Sequence, residues 1–351
     1  MSAKKPSAPQ TALRRVMLGL YIVAVALSLV VVVSFLVLEW IDHHPPQKDQ
    51  QVEFPLAADS TPDPEQSAGA QDPQATGSQP PSSQPPSSQV PERLVLNRRS
   101  GVYTCLLLGV ADQGGSDTIM LGVFDTGGRT ASLVSIPRDT VVRYNGEYIK
   151  INAAYSYGGV EAVRQCVREL LAVPIDYYVS VDFQAFREIV DVVDGVWFDV
   201  PPGMDYDDPD QNLHIHLAPG YQKLYGEDAL KLVRCRSAYA SQDIGRAATQ
   251  RAFLAAMVKQ TITLSNVTKV TSLIGILRTH VDSDMPLDDM VFFGKRAIGM
   301  DLDTALASTV LSTNWISPYI VPGEEEVLAL VNSLGIYEEE VPAEVLRLAH
   351  P

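Results

Sequence analysis

The stretch from Ser116 to Thr140, SDTIMLGVFDTGGRTASLVSIPRDT, constrains this chain more than any other. Two apolar runs, Ile119 to Phe124 and Ala131 to Ile136, flank Asp125-Thr126-Gly127-Gly128-Arg129. That turn composition predicts a β-hairpin. Asp117 stands just before the first strand, and Arg138 and Asp139 follow the second. A hairpin returns its ends to one place, so Asp117 and Arg138 are expected to be neighbours. Two charges meeting at the end of apolar strands mark a candidate site; a structural ion pair is the plainer alternative.

Upstream, Val16 to Leu38 is an uncharged apolar run of 23 residues. It is long enough to cross about 30 Å of hydrocarbon as a helix. A secretory signal has a shorter apolar core and a small-residue cleavage site. Here Glu39, Trp40, Ile41 and Asp42 follow instead, with Trp40 suited to the interface. Lys4, Lys5, Arg14 and Arg15 precede the run, which predicts a cytoplasmic tail over residues 1–15 and an extracytoplasmic remainder. Residues 39–99 are rich in Pro, Ser and Gln and end in SQPPSSQPPSSQ-type sequence. Such a stretch buries too little apolar surface to fold and predicts a disordered tether. The folded domain is expected over residues 100–351.

Within that domain, Val102 to Val110 reads as a strand in the middle of a sheet covered on both faces. Val160, Val163, Val167, Leu170 and Leu171 define a helix face opened by Gly158-Gly159. A strand over Ile175 to Val181, a helix capped by Asp182 and a strand over Val196 to Val200 follow. The alternation predicts an α/β fold, with helices over a sheet and one transmembrane helix before it. From Asn266 on, amphipathic helical stretches and a strand over Ser317 to Val321 are expected to cover the sheet.

A formal charge of -15 on 351 residues excludes a basic nucleic-acid footprint. Four arginines nevertheless stand near segment ends: Arg138, Arg234, Arg236 and Arg246. Arg246 and Gln250 are four apart at the start of a helix that Asp243 is placed to cap, so they share a face. A helix N-terminus beside a fixed cation is an anion site, and a solvated helix face is the alternative; in either reading Arg246 is expected to be an exposed helix-start arginine. His214 and His216 point the same way on a strand, but no third metal ligand is evident in the sequence. Three cysteines, Cys105, Cys166 and Cys235, lie in apolar segments without CxxC spacing, and a Cys166–Cys235 bridge stays open.

Taken together, SDTIML, SIPRDT, KINAAYSYGG, IDYYVSVDFQAF, DGVWFDVP and Arg234-x-Arg236 followed by Asp243-x-Gly245-Arg246-x-x-x-Gln250 resemble the LytR-CpsA-Psr family. The resemblance is close from Val102 to Lys259. It implies an α/β/α sandwich with a central mixed β-sheet and a largely apolar groove for a lipid tail. It implies a phosphotransferase of the Gram-positive-type cell envelope, moving an anionic glycopolymer (teichoic acid, capsule or similar) from a polyprenyl-pyrophosphate carrier to peptidoglycan. It implies magnesium or manganese on Asp112 and Asp117, and pyrophosphate contacts from Arg138, Arg234, Arg236, Arg246 and Gln250. Asp117, Arg138, Arg234 and Arg236 would form the catalytic set. Many members carry an arginine two residues before the aspartate of the SDT motif; here that position is Gly115. That departure implies reduced activity, a different head-group geometry, or replacement by Arg129 or Arg143. A membrane-tethered binder without turnover, or a polyprenyl-pyrophosphate hydrolase, are the competing activities.

Overall fold

The computed structural model of this chain describes residues 44–55, 93–110, 115–209, 213–236, 238–239, 243–261, 281–297, 300 and 302–350. The tail 1–15, the apolar run 16–38 and Asp112 lie outside the described residues. Among the described residues no helix is long and apolar enough to cross a membrane.

In chain order, the elements are β1 Gln51–Pro55, β2 Arg93–Asn97, β3 Val102–Val110, β4 Ser116–Asp125, β5 Thr130–Ser135, β6 Val141–Tyr144 and β7 Glu147–Lys150. Then come α1 Ile151–Leu171, β8 Tyr177–Val181, α2 Phe183–Val192, β9 Val196–Val200, β10 Asp205–Asp208, β11 Leu213–His216 and β12 Gly220–Leu224. The chain continues with α3 Gly226–Arg234, α4 Asp243–Thr261, β13 Val281–Ser283, α5 Leu287–Ala297, α6 Leu302–Ala305, β14 Leu306–Val310, β15 Thr313–Ile316, β16 Tyr319–Pro322 and α7 Glu324–Ser333. α5 belongs to a separate small unit, where the rings of Phe292 and Phe293 meet edge to face at 5.5 Å.

The centre is a six-stranded mixed sheet in the order β13-β8-β3-β4-β5-β14. β3 pairs parallel with β8 and antiparallel with β4, which places it inside the sheet as its continuous apolar run requires. The expected hairpin is β4–β5, with Asp125 facing Thr130 at the turn. There Arg129 takes a positive φ of 52°, and two turn amides, those of Gly127 and Gly128, bond to the Asp125 carboxylate. The parallel edge strand β14, beside β5, is a strand that periodicity does not reveal.

Side chains alternate across this sheet. Leu106, Leu108, Ile119 and Leu121 enter one core with Val163, Val167, Leu170 and Leu171 of α1 and with Val327 and Val331 of α7. Leu107 and Met120 face the other way, toward a cavity walled by α2, α3 and α4. A second core, with Val190, Val196, Ile215, Leu232 and Phe253, ties those three helices to β9 and β11. Helices therefore cover both faces of a mixed sheet.

Three expectations need correction. The 39–99 stretch is not a tether at its ends: β1 and β2 pair antiparallel, and Val52, Phe54 and Leu96 are buried in the first core. Their period-two alternation is hidden by polar neighbours. β2 leads into Arg98, whose guanidinium makes a bidentate pair with Asp176, 2.7 Å on each arm. The helix expected to open at Gly158-Gly159 starts at Ile151, and those two glycines interrupt it. Cys166 and Cys235 are buried in different cores, so no bridge joins them. Burial pushes the Cys166 thiol up to about 12.

Candidate active site

The site begins with an irregularity. On β3, Gly109 and Val110 are consecutive, yet on β4 their partners are Thr118 and Ser116. Asp117 is the extra residue of a β-bulge. Bulges break side-chain alternation and re-aim a residue. In regular phase Asp117 would point with Ile119 and Leu121 into the first core. Instead it lines the cavity on the opposite face, beside Thr118 and Met120.

Arg138 arrives from the other end of the hairpin. After β5, Ile136 donates its amide to the Ile119 carbonyl, and a turn closes with the Thr140 amide on the Pro137 carbonyl. The first turn of α1 fixes this corner, because the Asn152 amide donates to the Arg138 carbonyl. The Arg138 Nη1 then donates to Asp117 Oδ1 at 2.8 Å. Asp139 sits behind it, 3.9 Å from Arg138 Nε and 2.9 Å from Lys150 Nζ. Burial pushes the Asp117 carboxyl up, but the Arg138 hydrogen bond and the charges of Arg246, Arg138 and Arg236 outweigh it. The net effect holds Asp117 below its ordinary value of 3.8, and therefore ionised at neutral pH.

The other three arginines come from the α3–α4 junction. Arg234 is the last residue of α3, and its guanidinium stacks over the Phe183 ring at 4.6 Å. Arg236, two residues on, approaches Asp117 Oδ1 at 3.8 Å. Arg246 lies in the first turns of α4 and is only 5% exposed, so the exposed helix start expected from the sequence does not hold. It is buried because that end of α4 packs inward beside Asp117 and Gln250. The Gln250 amide donates to the Val233 carbonyl at 2.9 Å, tying α4 to the residue before Arg234.

Asp117, Arg234, Arg246 and Gln250 line one cavity of about 300 Å³, with Leu107, Val179, Phe186 and Met257 among its apolar walls. Asp117, Arg246 and Gln250 also line a smaller adjoining space with Arg138 and Asp139. The cavity is thus an apolar chamber with an arginine-rich end. Its charged end suits phosphate oxygens, which planar guanidinium groups match in pairs. Its walls suit a hydrocarbon chain.

The fold brings together six of the seven sequence-predicted site residues: Asp117, Arg138, Arg234, Arg236, Arg246 and Gln250. Asp112, the seventh, lies outside the described residues. Arg129 cannot stand in for an arginine at Gly115. It sits at the far end of the hairpin, about 25 Å along the strands from Asp117. Arg143 is exposed on β6, opposite Tyr148. Sequence reasoning missed the supporting parts: Phe183 under Arg234, and Lys150 against Asp139. Both lie in quoted motifs, IDYYVSVDFQAF and KINAAYSYGG, but no spacing rule assigns them a role. An ionised carboxylate such as Asp117 is the donor type that magnesium or manganese takes, and Arg138 and Arg236 each approach its Oδ1.

Comparison with known proteins finds relatives of this chain in sequence and in fold. The chain is 31% identical over 208 residues to the polyisoprenyl-teichoic acid–peptidoglycan teichoic acid transferase TagV of Bacillus subtilis, a match covering 56% of this chain and 53% of that protein. It is 34% identical over 198 residues to the transferase TagU of Bacillus cereus, covering 55% and 63%. The match thus spans little more than half the length of these relatives. Among solved structures, the crystal structure of B. subtilis TagV superposes with a TM-score of 0.58 at 26% identity, over 67% of this chain and 96% of that one. The structure titled TagT bound to LIIa-WTA gives 0.58 at 27% identity, over 67% and 90%. The sequence pattern of the LytR_cpsA_psr family matches residues 66–325, and the chain belongs to that family.

Proposed function

We propose that this protein is a phosphotransferase that moves an anionic glycopolymer of the teichoic acid class from a polyprenyl-pyrophosphate carrier to peptidoglycan. The observation that carries this reading is one cavity joining apolar walls to Asp117, Arg234 and Arg246. A lipid pyrophosphate has that same polarity, a hydrocarbon tail ending in a multiply charged head. The relatives named as teichoic acid transferases add support.

In this reading Arg138, Arg234, Arg236 and Arg246 hold the pyrophosphate, and Gln250 keeps α3 and α4 in register around it. The acceptor hydroxyl forms a new P–O bond to the glycan-bearing phosphorus as the bridging P–O bond breaks. Net, the hydroxyl proton ends on the departing polyprenyl phosphate. Charge builds on that leaving phosphate, and preformed cations stabilise it without covalent catalysis. Asp117, with Asp112, would hold a magnesium or manganese ion, which supplies further positive charge at the pyrophosphate when bound. Asp117 is a weak base while arginines hold its carboxyl down, which fits ion holding better than proton abstraction.

The topology belongs to the same proposal. Residues 1–15 lie in the cytoplasm, 16–38 cross the membrane, and the folded domain is held outside the cell. Gly115 favours a second reading, a tethered binder without turnover. Loss of donor turnover in Arg138→Ala, against active parent protein, separates the two; a parent that binds donor and never releases polyprenyl phosphate is a binder.

A further inference from the structure

The hairpin β10–β11 carries a second cluster that the transfer site does not use. Its register places Asp205 opposite His216 and Asp207 opposite His214. All four side chains are exposed on one face of the hairpin. The strand is anchored from behind by Leu213 and Ile215, which are buried in the second core. The sequence alone offers two histidines and no third ligand. The strand pairing supplies it as Asp207, seven positions before His214 and nine before His216.

The distances suggest how the groups divide. His216 Nδ1 lies 2.6 Å from Asp205 Oδ1, the carboxylate–imidazole pairing that fixes a ring and its tautomer. This leaves His216 Nε2 facing Asp207 Oδ1 at 3.4 Å. Neighbouring ligands around a tetrahedral zinc stand about 3.4 Å apart, given metal–ligand bonds of about 2.0–2.1 Å. His214 Nδ1 is 2.5 Å from the same Asp207 oxygen, and one ligand atom from each of the three residues falls within 4.8 Å of the others. A shift of about 1 Å at His214 opens that 2.5 Å contact to the spacing of a shared coordination edge.

We propose that Asp207, His214 and His216 form a zinc-class metal site on this hairpin, with Asp205 orienting His216. Two imidazoles and a carboxylate select zinc, copper or nickel over magnesium, which prefers all-oxygen ligation. Water completes the shell, because the ligands are more than half exposed. None of the four residues lines the transfer cavity, so this ion is distinct from the one assigned to Asp117. Its role is to clamp β10 to β11.

The test uses the full chain, stripped with chelator and titrated with zinc chloride against a chromogenic competitor. One zinc per chain is expected, with affinity falling tenfold or more in His214→Ala and in His216→Ala. Asp205→Asn should weaken binding less, as a positioning residue, and Asp117→Asn should leave zinc binding unchanged. His214→Gln repeats the test with a side chain that keeps a hydrogen bond, and circular dichroism of the metal-free variants reports their fold. A parent chain that binds no zinc overturns the proposal. So does zinc binding of parental strength in both folded histidine variants, since the ion would then sit elsewhere.

Discussion

Arg138 Nη1 donates to Asp117 Oδ1 across 2.8 Å, although the residues are 21 apart in the chain. The β4–β5 hairpin returns Arg138 to the start of β4, and the bulge at Asp117 turns the carboxylate toward it. Neither device works alone. A hairpin without the bulge sends Asp117 into the first core; a bulge without the hairpin leaves it without this arginine.

Asp117→Asn keeps the volume and removes the charge. Transfer should fall about 10²–10³-fold, the range for loss of one preorganised electrostatic group. Because the folded carboxyl is held below its ordinary 3.8, its contribution to stability is fully present above that range and fades as pH falls through the depressed value. Thermal melts of parent and variant should differ by a constant amount from about pH 5 to pH 8 and converge in stronger acid. A gap that widens with rising pH across that window contradicts the assignment.

Arg246 links binding to folding. At 5% exposure its removal leaves a polar hole next to Asp117. Arg246→Ala should cost about 1–3 kcal/mol of stability and weaken donor binding. Arg246→Lys should recover most of the stability and little of the binding, since an ammonium cannot match two phosphate oxygens. Denaturant melts paired with donor titration read both quantities.

Gly115 has room for what the family pattern puts there. A Cβ built on it meets nothing within 4 Å. Gly115→Arg should therefore change stability by less than about 0.5 kcal/mol. If the position faces the pyrophosphate, the new guanidinium should tighten donor binding, with the gain shrinking as salt is raised. Donor affinity unchanged at low salt would remove this position from the site.

The domain should not tolerate a start at residue 100. That cut deletes β1, β2 and Arg98, whose guanidinium pairs with Asp176 while Asp176 also accepts from the Thr104 amide and hydroxyl. Asp176→Ala isolates the largest part of this effect and should cost about 3–5 kcal/mol, because it strands a buried arginine. Equilibrium unfolding in urea measures it. A loss under about 1 kcal/mol would mean that the pair is solvated in solution.

Much of the site was legible in the sequence because it rests on local rules. The Asp-Thr-Gly-Gly turn gave the hairpin, and the hairpin gave the Asp117–Arg138 pair. Arg246 and Gln250 share a face through helix periodicity alone. What was not legible depends on non-local packing. A helix-start arginine looks the same whether it meets water or a cavity, so the burial of Arg246 was missed. The Asp117 bulge follows from how β3 and β4 register, not from composition. β1 and β2 were lost in a polar stretch because their apolar residues find a core only when 51–55 meets 93–97. The third ligand for the histidines was invisible for the same reason, since strand pairing brings Asp207 to His214.

The most direct test incubates the full chain and magnesium with a polyprenyl-pyrophosphate-linked glycan and a peptidoglycan oligomer, then analyses the products by mass spectrometry. The expected result is a glycan–peptidoglycan phosphodiester with one polyprenyl phosphate released per linkage, and neither product in Arg138→Ala. Release of polyprenyl phosphate at the same rate without acceptor would make the protein a hydrolase. Tight donor binding with no product, in the presence of acceptor that a related transferase can use, would contradict transfer and leave a binding protein.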